Sequence, residues 1–343
     1  MIPAGALRLL RLLATVPGRR NDALAVVNGF FGDTLDDQGS GLALPMTWRN
    51  DASRDVSADR VSLTQAFPEA TGRIVLLVHG LMSTESVWAF PGDPKTNYGN
   101  LLAGDHGVTP IWLRYNSGRH ISTNGRELAR MLHALVAAWP VPVRDITLIG
   151  HSMGGLVIRS ACSYAPATRP WRQHLHLRRS WASKVRRVVL IGVPNTGAPL
   201  EVFVNWMSAA LRSLPIPATR LLGLGLDLRS AGIRDLRFGS ITDEDWREQD
   251  PDARVRPLPH RVAVLRRAAY LIIAGGIIGD DGHPLTQLVG DAVVTLSSAS
   301  GAFGETADDA LFPGSTVRLF PKVNHIALAH RPEVYAAIDR WWP

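Results

Sequence analysis

The chain has a single cysteine, Cys162, among 343 residues, so no internal disulfide can form and no zinc site built on several cysteines is available. Lysine is almost as scarce, with only Lys95, Lys184 and Lys322. The other 34 of the 37 basic residues are arginines, and the formal net charge of +7 is an arginine effect. These arginines are scattered among acids, with no long basic tail and no RNP-like aromatic motif. They therefore read as an arginine-rich surface on a soluble protein and not as a nucleic-acid interface. Long apolar runs are missing too: the longest, residues 268–279, has 12 residues and is too short to cross a bilayer. No internal repeat or low-complexity tract occurs. What remains, 46% hydrophobic and 20% charged residues, is the composition of a globular protein large enough to bury a sizeable core.

Residues 1–16 are apolar, but Arg8 and Arg11 interrupt the stretch that a secretory signal would keep uncharged. Leu9, Leu10, Leu12 and Leu13 around those arginines fit a short amphipathic helix. Its expected place is against the protein body or a neighbouring chain, with peripheral membrane contact as the alternative. A cytoplasmic location is the expectation. Residues 1–54, with helical apolar patches at 23–31 and 42–48, read as an N-terminal helical extension before the main fold, residues 55–343.

From residue 55 the pattern becomes alternating strands and helices. The run Arg-Ile-Val-Leu-Leu-Val at 73–78 has the continuous apolar character of a strand buried on both faces. Further strands are expected at 108–115, 145–150, 184–192, 268–274 and 316–320. A helix is expected from Asn124, with Glu127 completing a capping box and Leu128, Met131, Leu132, Leu135 and Val136 forming its apolar face. Strands separated by helices predict an α/β fold, a mostly parallel sheet with helices on both faces. Residues 196–267 interrupt that alternation and read as a cap insertion.

The most specific signal is Gly150-His151-Ser152-Met153-Gly154, a G-x-S-x-G between a buried strand and a helix. In that context the serine hydroxyl sits exposed at the end of the strand, as a nucleophile needs. The segment His79-Gly80-Leu81-Met82 ends the 73–78 strand. Leu81 there and Met153 after the serine are the expected backbone N–H donors to an oxyanion. His79 reads as a turn-stabilising residue in preference to a base.

A serine nucleophile needs a base, and the base needs an orienting carboxylate. Of His174, His176, His260, His283, His325 and His330, only His325 both closely follows a strand and precedes the terminal helix. The His174/His176 pair has no acid or cysteine beside it and reads as solvent-facing. For the acid, Asp291 competes with Asp280 and Asp281, while Asp308 and Asp309 read as a solvated pair.

These segments resemble the serine lipases and esterases of the α/β-hydrolase superfamily, including bacterial triacylglycerol lipases and an inositol-deacylase-like branch. The resemblance rests on Val-Leu-Leu-Val-His79-Gly80, Gly150-His-Ser-Met-Gly154-Gly155, Gly192-Val-Pro-Asn-Thr-Gly-Ala-Pro199, Gly290-Asp291-Ala-Val-Val with Ser297-Ser298-Ala299, and Asn324-His325. Together they span about residues 70 to 343, in family order. The resemblance implies an α/β-hydrolase fold and favours Asp291 as the acid of a Ser152–His325–Asp291 triad. It implies ester hydrolysis through an acyl-enzyme, with no cofactor. A calcium site is not carried over, because the position two after the histidine is Ala327, and no metal is expected. The expected partner is a small-molecule or lipid ester with an apolar acyl or alcohol group. An apolar stripe in the cap, Phe203, Trp206 and Met207, is the expected lining for it. Amidase, thioesterase, phospholipid deacylase and acyltransferase chemistry on the same fold are the near alternatives, and a non-enzymatic binding protein is the distant one.

Overall fold

The structure, a computed structural model, describes residues 20–165, 180–197, 230–250, 262, 264–276 and 311–342. In chain order the elements begin with α1 (Arg20–Asp37), β1 (Thr47–Arg49), β2 (Asp55–Val56), α2 (Arg60–Ala66) and β3 (Arg73–Val78). A small hairpin, β4 (Ala89–Phe90) and β5 (Asp93–Asn97), leads to α3 (Tyr98–His106) and β6 (Thr109–Arg114). Then come α4 (Ile121–Ala138), β7 (Asp145–His151), α5 (Met153–Tyr164), β8 (Val185–Ile191), α6 (Ala231–Phe238), β9 (Ala269–Gly276), β10 (Thr316–Pro321) and α7 (Pro332–Trp341).

Among the described residues eight strands form one sheet in the order β10-β9-β8-β7-β3-β6-β1-β2. The six from β10 to β6 are parallel, and β1 and β2 add an antiparallel edge. Alternate residues of β3 show why both faces are covered. Ile74, Leu76 and Val78 pack in one core with Val27 and Phe30 of α1, Leu128 and Leu132 of α4, and Leu156 of α5. Val75 and Leu77 face the opposite core, with Tyr98 and Leu102 of α3 and Val334 and Ile338 of α7. The expected strands are all present, with bounds differing by a residue or two.

Three local expectations need correction. The 42–48 patch is not helical: Thr47–Arg49 is a strand whose Trp48 and Arg49 pair with Leu113 and Trp112 of β6. Pairing with the open edge of β6 satisfies backbone groups that a short helix here would leave exposed. The boundary between residues 54 and 55 therefore falls inside the sheet, between paired strands β1 and β2. Helix α4 starts at Ile121, not after Asn124. The Ile121 N–H donates to the Asp235 carboxylate at 2.8 Å, so a residue near the middle of α6 supplies the cap. Asn124 is buried inside the helix and donates its side-chain N–H to the Asn116 carbonyl at 2.9 Å.

The parallel strands end along one edge of the sheet, at Val78, Arg114, His151, Ile191, Gly276 and Pro321. That carboxyl edge is where ligand sites form in open α/β sheets. No helix among the described residues is long and apolar enough to cross a membrane. Residues 1–16, Phe203, Trp206, Met207, Asp280, Asp281 and Asp291 lie outside the described residues.

Candidate active site

Ser152 sits between β7 and α5 with φ 53° and ψ −128°. A non-glycine residue adopts that left-handed geometry only where its surroundings enforce it. Here the Ser152 N–H donates to the Ile191 carbonyl of β8 at 2.8 Å, and the Ser152 carbonyl accepts the Gly155 N–H at 3.0 Å. Gly154 keeps the first turn of α5 against β3. A Cβ added to it would lie 2.3 Å from the Val78 carbonyl oxygen, which is backbone and cannot step aside. The apolar β7 strand, the sharp turn and the tightly seated helix thus set the serine at the N-terminus of α5, where partial positive charge favours an anion.

The loop after β3 meets Ser152 from the other side. A Cβ on Gly80 would lie 3.0 Å from the Ser152 Cβ. Leu81 is buried next in that loop, and Met153 is buried at the first position of α5. His79 is buried, stacks on Tyr115 with ring centroids 4.5 Å apart, and donates from Nδ1 to the Gly80 carbonyl at 2.9 Å. Burial pushes its pKa down to about 4, so the ring is neutral at physiological pH.

His325 lies in the loop between β10 and α7. The Asn324 side chain shapes this loop by accepting the Ala327 N–H at 2.9 Å. A residue that the sequence reading passed over ties the loop to β7. His151, the residue before Ser152, donates from Nε2 to the His325 carbonyl at 2.9 Å, and the two rings lie 4.9 Å apart. Because a carbonyl accepts, Nε2 carries the His151 proton. Burial drives the His151 pKa well below its ordinary value, and the neighbouring His325 adds to that shift, so His151 is a neutral strut. The only sequence signal for it was a polar residue where a buried strand meets its turn. The other candidate on this side, His330, bonds from Nδ1 to the Val87 carbonyl at 3.0 Å and joins two loops.

Ser152, His151, His325, Leu81 and Met153 are thus gathered at the carboxyl edge of the sheet, all nearly inaccessible to water, so Ser152 is buried where the sequence motif led to an exposed hydroxyl. Among the described residues no group of three or more His, Cys, Asp or Glu side chains is placed to hold a metal ion.

A mostly parallel sheet covered by helices on both faces, with a strained serine in the strand-to-helix turn after β7, is the α/β-hydrolase fold. The chain belongs to the alpha/beta hydrolase family, whose model matches residues 75–338. Similar solved structures include a lipase from Bacillus licheniformis in mature form, 19% identical, covering 78% of this chain and 91% of that one, with a TM-score of 0.46. A thermophilic esterase from Thermogutta terrifontis is 16% identical over 79% of this chain and 90% of that one, with a TM-score of 0.42. The esterase RhEst1 from Rhodococcus sp. is 18% identical over 80% of this chain and 91% of that one, with a TM-score of 0.43. No curated protein matches the chain.

Proposed function

We propose that the protein is a serine carboxylic ester hydrolase of the esterase or lipase type, acting on esters with an apolar acyl or alcohol group. The observation that carries this reading is the strained Ser152 turn, with the His325 loop tied to the residue immediately before it. Ser152 Oγ attacks the ester carbonyl while His325 takes its proton. His325 then protonates the departing alcohol. Water, activated by the same imidazole, releases the acid from the acyl-enzyme. The Leu81 and Met153 N–H groups receive the oxyanion, each donor worth about 3 to 4 kcal/mol in comparable sites. Asp291 fixes the His325 tautomer and stabilises its cation. Phe203, Trp206 and Met207 are the residues assigned to bind the apolar group of the ester. Water is the only co-reactant.

The test is labelling by a fluorophosphonate together with hydrolysis of p-nitrophenyl esters of graded chain length. Labelling at Ser152 and turnover of the series are expected. Labelling at another serine, or none at all, would overturn the reading.

The acid has its own test. Asp291→Asn is expected to lower turnover by on the order of 10⁴, because the imidazole would be held in the wrong tautomer. Asp280→Asn and Asp281→Asn are expected to be mild. The reverse ranking would move the role to one of those residues.

A further inference from the structure

Three consecutive peptide groups after β3 are each gripped by a different side chain. The peptide joining His79 and Gly80 has its carbonyl bonded by the Tyr115 hydroxyl at 2.9 Å. The next peptide, joining Gly80 and Leu81, has its carbonyl bonded by His79 Nδ1–H at 2.9 Å. The third, joining Leu81 and Met82, has its N–H bonded to Ser117 Oγ at 3.0 Å. The middle peptide bears the Leu81 N–H. In a trans peptide the C=O and N–H point in opposite directions, so a bond that fixes the Gly80 carbonyl also fixes where the Leu81 N–H points.

The grip is built into the core. The His79 ring lies nearly parallel to that of Tyr115, tilted by 19°, and both residues are buried. Tyr115 and Ser117 belong to the segment that leaves β6, whose Asn116 donates to the Gly32 carbonyl of α1 at 2.8 Å. Met82 is held at φ 57°, in the left-handed region. Its side chain presses on α1, where a Cβ on Gly29 would lie 2.1 Å from the Met82 Cγ. Helix α1 lies before the stretch matched by the family model, residues 75–338. Residues held in such conformations cluster at active sites and ligand clamps.

We propose that His79 is a positioning residue for the oxyanion-binding Leu81 N–H, with Tyr115 and Ser117 fixing the peptides on either side. The inference rests on the hydrolase reading and deepens it. His79 touches no reacting atom. It prevents the Gly80–Leu81 peptide from rotating, so the donor is in place before charge develops, which is what makes such a donor effective.

His79→Phe keeps a ring to stack on Tyr115 and removes the donor, whereas His79→Asn places an amide N–H near the position of Nδ1. For His79→Phe, kcat on a p-nitrophenyl ester is expected to fall by about 10- to 100-fold with KM within about twofold, a part of the loss seen when an oxyanion donor is removed. Affinity for a trifluoromethyl ketone, whose adduct carries the oxyanion, is expected to fall by the same factor. His79→Asn is expected to recover most of both. Ser117→Ala removes one oxygen from the same lock and should shift kcat and ketone affinity together by a smaller factor, which keeps the test decisive if His79→Phe folds poorly.

Folded variants that keep kcat and ketone affinity within twofold would overturn the positioning role while leaving the hydrolase reading intact. A His79→Asn variant as impaired as His79→Phe would do the same. A wild-type protein that turns over no ester and binds no ketone would remove the hydrolase reading and the positioning role together.

Discussion

Replacing Ser152 by glycine is expected to abolish ester hydrolysis and raise the thermal midpoint. The loss follows from the proposed chemistry: without the hydroxyl there is no acyl-enzyme, and removing such a nucleophile costs on the order of 10⁶ in kcat. The gain in stability follows from the backbone. Ser152 is held at φ 53° and ψ −128°, a geometry that costs a residue with a side chain about 1 to 3 kcal/mol. Glycine adopts it freely but gives back roughly 0.5 to 1 kcal/mol through the larger entropy of its unfolded chain. A net gain of about 1 kcal/mol corresponds to a midpoint higher by roughly 1 to 2 °C in a chain of this length. Ser152→Ala should be equally inactive without the gain, because its Cβ keeps the strain. Ester assays and calorimetry on the two variants decide the matter. A glycine variant that melts no higher than the alanine variant would show that the turn stores no such strain.

The parts of the fold that were legible in the sequence are those whose cause is local. Strands β3, β7 and β8 announce themselves because the part of a strand buried on both faces is a near-continuous apolar run, as in residues 74–78 and 188–191. Ser152 was legible because the turn around it admits only glycine at a fixed offset, and Gly154 shows the reason in its contact with Val78. The features that escaped have distant causes. The start of α4 is set by Asp235, 114 residues away in sequence, and local capping rules cannot see it. The strut from His151 reaches the His325 carbonyl across 174 residues. Strand β1 has three residues, too few to show a periodicity, and exists because the edge of β6 is open to it. The role of α1 was hidden for a similar reason. Nothing in its own sequence tells that Gly29 and Gly32 face Met82 and Asn116.

The largest effect on stability is expected at Arg114. Its guanidinium donates from Nε and from a terminal nitrogen to the two carboxylate oxygens of Glu85, with the Nε bond at 2.9 Å, and both side chains are buried. Arg49 approaches the same carboxylate at 3.3 Å. Burial by itself would raise the Glu85 pKa. The hydrogen bonds and charge of Arg114, with the charge of Arg49, outweigh burial and leave it below the ordinary 4.5. A carboxylate with a depressed folded-state pKa stabilises the fold above its unfolded value and loses that contribution as pH falls through the folded one. The wild-type midpoint should therefore decline as pH drops below about 4.5, in part because of this group. Arg114→Met strands the carboxylate with Arg49 alone, and breaking a buried pair in this way costs about 3 to 5 kcal/mol. At pH 7 the midpoint should fall by roughly 4 to 7 °C. The difference between wild type and variant should shrink as the pH approaches 4, because protonation then neutralises the stranded Glu85. Glu85→Gln combined with Arg114→Met should lose much less than the two single changes added together, since no carboxylate is left without its partner. A gap between wild type and Arg114→Met that stays constant from pH 7 to pH 4 would show that the arginine acts through packing alone.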